Sequence, residues 1–91
     1  MEIFIVTYDL SSNPDSQVYQ SLISLIKEEG SWACLGGSSY LIQSSLSASA
    51  LRDKFRTVLR NGDILYVGVV SAPAAWYGYS PEVSEWIKAK L

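Results

Sequence analysis

Histidine is absent from this 91-residue chain. That absence removes Ser-His-Asp and Cys-His arrangements, imidazole metal sites and the commonest general base near neutral pH. Cysteine occurs once, as Cys34, which excludes an intramolecular disulfide, a CxxC redox pair and a thiolate zinc site. A buried, inert thiol is expected there. No apolar run approaches the length of a membrane span, and Met1-Glu2 leads straight into strand formers without a basic leader. A soluble, cytoplasmic protein with no membrane partner is the expectation. Charged residues make up only 18% of the chain, and nine acids outnumber seven Lys and Arg for a net charge of -2. Binding to nucleic acid or anionic lipid would therefore need a local basic patch.

What is present describes a folded domain. A hydrophobic fraction of 48% argues against disorder, and the low charge is compatible with a buried partner surface. The length suits one domain, residues 1–91, in which about 60% of the unfolded chain's surface can be buried. Every element must share that core.

The first strand formers run from Ile3 to Tyr8, apolar on both faces, which predicts a central strand. Asp9 ends that run, either for chemistry or to start a turn. The segment "SSNPDS" (residues 11–16) is dense in turn formers, and Asp15 or Ser16 can cap the helix after it. In that helix Val18, Leu22, Leu25 and Ile26 form an apolar stripe, widened by Tyr19 and Ile23, that stops at Gly30. "WACLGGSSYLIQS" predicts a hairpin with strands at Trp32–Leu35 and Ser39–Gln43 around Gly36-Gly37. A phosphate loop would need Gly-Lys-Ser/Thr opening a helix, whereas these glycines enter a strand without a lysine. The serines from Ser44 to Ser49 have no base beside them and suit loop and cap positions.

Ser47 starts a second helix with Leu51, Phe55, Val58 and Leu59 on its apolar side and a stop at Arg60-Asn61-Gly62. "ILYVGVV" after Asp63 is again apolar on both faces, which predicts a second deeply buried strand. Ser80-Pro81-Glu82 then signals a short terminal helix carrying Val83, Trp86 and Ile87 on one face. The order predicts an α+β, ferredoxin-like βαββαβ sandwich: a four-stranded antiparallel sheet, two helices on one face, and a short C-terminal helix. The other sheet face then needs cover from the terminal helix, a second subunit, or both, and a homodimer packed through its sheets is the simplest answer.

Two further groups draw notice. Arg52, Arg56 and Arg60 fall at i, i+4 and i+8, a stripe that can contact a phosphate backbone or line a solvated helix edge beside Asp53. Trp76, Tyr77, Tyr79 and Trp86 can stack a base or nucleotide, or close the open sheet face as an interface.

The "IVTYDL" strand, the helix ending at Gly30, "SSYLIQ" and "NGDILYVGVV" together resemble the small CRISPR-associated ferredoxin-like family that partners the spacer-acquisition integrase. The likeness runs from Met1 to about Ser71. "YDL" and the "AWYG-S" pattern at Ala75–Ser80 resemble its stand-alone SinR-like branch of bacterial and phage proteins, whose activity is unknown. The resemblance implies a homodimer, a setting in phage or bacterial defence, and a protein or nucleic-acid partner. It also implies that Asp9 lies near a dimer axis, where two copies can share a magnesium or manganese ion. Such an ion can generate a nucleophilic water for phosphodiester cleavage, which would make Asp9 both metal ligand and catalytic residue. As an Asx-turn residue, Asp9 would instead accept backbone hydrogen bonds. The basic residues that DNA-bridging members carry in the first loop and helix are missing here, where "SSNPDSQ" and a single Lys27 stand. A non-catalytic relative is the leading expectation, with a weak metal-dependent nuclease or a nucleotide binder as alternatives.

Overall fold

The computed structural model describes residues 1–11 and 16–91. Among these the elements are β1 (Glu2–Asp9), α1 (Gln17–Glu28), β2 (Trp32–Gly36), β3 (Ser39–Ser44), α2 (Ala48–Arg56), β4 (Ile64–Val70) and α3 (Pro81–Lys90). The strands form one antiparallel sheet in the order β2-β3-β1-β4. This is the ferredoxin-like plan that the element order predicts, with a C-terminal helix added.

Each helix begins where a serine cap stands. Ser16, Ser47 and Ser80 have extended backbones, and their hydroxyls accept the N–H of Tyr19, Ala50 and Val83. Asp15, the other candidate cap, lies outside the described residues, as does most of the expected turn before α1. Gly30, at φ 130°, takes the left-handed conformation that ends α1. The second helix is shorter than expected. It ends at Arg56, because the N–H groups of Thr57, Val58 and Leu59 bond carbonyls only three residues back, tightening the chain into turns. Thr57 and Val58, both β-branched, favour that early exit. Val58 and Leu59 still pack on the core from the turn.

The main core lies between the helices and one sheet face. Phe4, Val6 and Tyr8 of β1 and Tyr40 and Ile42 of β3 meet Leu22, Ile26, Leu51 and Phe55 of the helices. Burying each large side chain stabilises the fold by about 1.5–3 kcal/mol. At the rim, the nearly buried carboxylate of Glu29 accepts from Ser44 Oγ at 3.0 Å and pairs with the Lys54 ammonium, joining the end of α1 to α2.

The opposite, outer face carries Ile3, Ile5, Thr7 and Asp9 of β1 beside Val70, Gly68, Tyr66 and Ile64 of β4, by the register that pairs these residues. A second cluster of Ile3, Leu41 and Ile87 covers one half of it, with Leu35, Val70, Trp76, Tyr79, Val83 and Trp86 packed around. The terminal helix thus supplies part of the expected cover, and the half towards Thr7 and Asp9 stays open. β4 corrects the expectation of a deeply buried strand: it is an edge strand, with Ile64, Tyr66 and Val69 exposed at 61%, 62% and 51%. No helix among the described residues is long and apolar enough to cross a membrane.

Candidate functional site

Pleating puts Asp9 at the end of the outer face, two residues beyond Thr7, whose hydroxyl accepts from Ser39 Oγ at 3.1 Å. The Asp9 side chain is exposed, and its carboxylate makes no hydrogen bond or ion pair with a described residue. The Asx-turn expectation therefore fails at Asp9, which is the last residue of the strand itself. Asp63 holds the turn instead. Its Oδ1 accepts from the backbone N–H and the hydroxyl of Ser11, and its Oδ2 accepts from the Arg60 N–H, each at 2.8 Å. The Arg60 and Ser11 N–H groups hold the Asp63 carboxyl below the usual carboxylate range, and the Ser11 hydroxyl adds to this. This clamp joins the chain leaving β1 to the turn before β4.

At the same end, on the core side, the hairpin is tied down by phenols. Tyr8 and Tyr19 both donate to the Gly37 carbonyl, at 3.3 and 2.8 Å, with their rings edge to face at 6.0 Å. Burial raises the Tyr8 phenol well above its usual range and pushes Tyr40 up to about 12, where a hydrogen bond with Cys34 adds to the shift. Cys34 is half-buried, less enclosed than expected, and its thiol donates to the Gly36 carbonyl.

The arginines do not form the expected stripe. Arg60 lies beyond the end of α2, and Arg52 is paired with Asp53 at 3.0 Å, so only Arg52 and Arg56 share the helix. Arg52 borders a groove of about 350 Å³ between α2 and β4, lined by Ala48, Ser49, Leu65, Tyr66 and Val67. Among the aromatics, Trp76, Tyr79 and Trp86 pack on the second cluster, and the indole N–H groups of Trp76 and Trp86 donate to Ser84 and Ser31. They close the sheet face. Tyr77 alone of the four stands free, at 98% exposure. The aromatics that close the sheet face thus stand at the covered half, Arg52 and Arg56 on α2, and Arg60 in the turn that Asp63 clamps to the chain just beyond Asp9. Among the described residues no three metal-ligating side chains come together, and no second carboxylate is grouped with Asp9 into such a cluster.

The surface that sequence reasoning missed is β4 itself. Tyr66 lies flat over Gly68, close enough that a Cβ there would sit 2.8 Å from its ring, and it leaves a large aromatic face open beside Ile64. The signal was in hand: in a βαββαβ chain the fourth strand is an edge, and an edge apolar on both faces is unusual. No known family model, characterised protein or solved structure matches the chain.

Proposed function

We propose that this chain is a homodimeric, non-catalytic interaction subunit, a relative of the CRISPR-associated proteins that partner the spacer-acquisition integrase. The exposed apolar surface of β4 carries this reading. Soluble monomers seldom leave large apolar residues contiguous in water, and Ile64 and Tyr66 are exposed two residues apart on the outer face, with Val69 exposed on the other side of the same strand. The charged residue on the open half of the outer face is Asp9, whose sign repels a phosphate backbone and suits a protein neighbour. The cytoplasm, and phage or bacterial defence, are the setting that the resemblance suggests.

Sedimentation velocity tests the reading, with a dimer expected in the micromolar range; a monomer at every concentration overturns it. A nucleic-acid role would replace it if single-stranded or duplex probes bound with a salt dependence that Ala at Arg52, Arg56 and Arg60 flattened.

The free Asp9 carboxylate favours one second reading, a magnesium- or manganese-dependent phosphodiesterase with Asp9 from both subunits on one ion. Calorimetric titration of manganese into wild type and Asp9→Asn separates the two. The subunit reading expects identical heats, whereas about one ion per dimer, lost in the variant, would establish the shared site.

A further inference from the structure

We infer that the second copy docks edge to edge, with β4 pairing antiparallel to β4 of the partner about a two-fold axis at Val67, so that two sheets become one of eight strands. This rests on the homodimer proposed above and names its surface.

The direction of the backbone groups follows from the ladders. The N–H of Tyr8 bonds the carbonyl of Ser38 beside β3, so alternate residues of β1 from Tyr8 backwards face β3, and Ile3, Ile5, Thr7 and Asp9 face β4. Their partners Val70, Gly68, Tyr66 and Ile64 therefore point inwards. Leu65, Val67 and Val69 are left with N–H and C=O groups directed out from the sheet edge. A two-fold at Val67 matches all of these: Leu65 faces Val69 of the partner, Val67 faces its own copy, and Val69 faces Leu65 of the partner.

The two edges of the sheet are treated differently. β2 is five residues long, is broken by a bulge between Cys34 and Gly36, and has the Lys27 ammonium 4.4 Å over the Trp32 ring. Glu82, Val83 and Trp86 of α3 stand alongside it. These are devices that discourage strand addition. β4 has none of them: Ile64–Val70 contains no charge and no proline. Self-pairing therefore brings no charges of the two strands together: Val67 meets its own copy, Leu65 meets Val69, Ile64 meets Val70, and the Tyr66 ring meets the open position of Gly68. On the helix side, the partner's strand also covers the groove beside Ala48, Ser49 and Arg52.

Closure selects a second copy as the occupant. Pairing β4 with β4 consumes both open edges and leaves two protected β2 edges outside, so assembly stops at two. The same geometry holds the two Asp9 residues at least three strand spacings apart, about 14 Å, which is too far for one ion.

Two variants in the full chain test this. Val69→Pro removes an outward N–H at an exposed position, leaves the ladder to β1 intact, and should raise the dimer dissociation constant by about tenfold or more with an unchanged circular dichroism spectrum. In a Cys34→Ser background, single cysteines placed from 64 to 70 should oxidise to crosslinked dimer most readily at 67 and least at the ends. A dimer unaffected by Val69→Pro, or crosslinking with no maximum near 67, overturns the edge pairing while the homodimer stands. A wild-type monomer overturns both.

Discussion

At the scale of single residues, the two acids near the end of the sheet divide the work differently from what their positions in the chain suggest. Asp9 follows an apolar strand and invites a functional reading, yet Asp63 is the acid with partners, because the turn before β4 and the chain after β1 meet in space. Its folded carboxyl is more acidic than in the unfolded chain, so it stabilises the fold above the ordinary carboxyl value of about 4 and loses that contribution as pH falls through its depressed value. Urea midpoints for Asp63→Asn should therefore lie below wild type at neutral pH and converge with it in acid. A gap independent of pH would mean that the clamp works without its charge. None of this could be read from Asp63 as a residue type, since its donors lie 52 residues away at Ser11 and three residues away at Arg60.

Among the elements, those with local signals formed where the sequence places them. Serine caps at 16, 47 and 80 and the glycine after α1 act within one turn of backbone, so neighbouring residues suffice to specify them. The end of α2 was less legible, because Val58 and Leu59 continue an apolar periodicity while packing on the core from a turn. α3 depends on tertiary packing more than the other helices do. Its anchor Ile87, 4% exposed, clusters with Ile3 and Leu41, and that contact, with Val83 and Trp86 beside it, fixes which half of the outer face is covered. Ile87→Ala should cost about 2–5 kcal/mol locally, seen as faster amide hydrogen exchange along α3 and in the Trp76 and Trp86 indoles. Exchange that rises equally in β1 would instead show that α3 and the main core unfold together.

For the molecule as a whole, dimerisation couples stability to concentration, so the thermal midpoint should rise as protein concentration rises, and Val69→Pro should move that rise to concentrations about tenfold higher or more. The βαββαβ order and the identity of the core residues follow from period, caps and turn residues, which are local properties of the chain. The exposure of β4 does not. Apolar residues on both faces mean that a strand needs cover on both sides, and this holds equally for a strand buried in its own sheet and for one waiting for a partner. The choice was made by topology: right-handed crossovers send β4 to the outside of β1, opposite the edge that α3 guards, and so leave its outward N–H and C=O groups without strands to pair with.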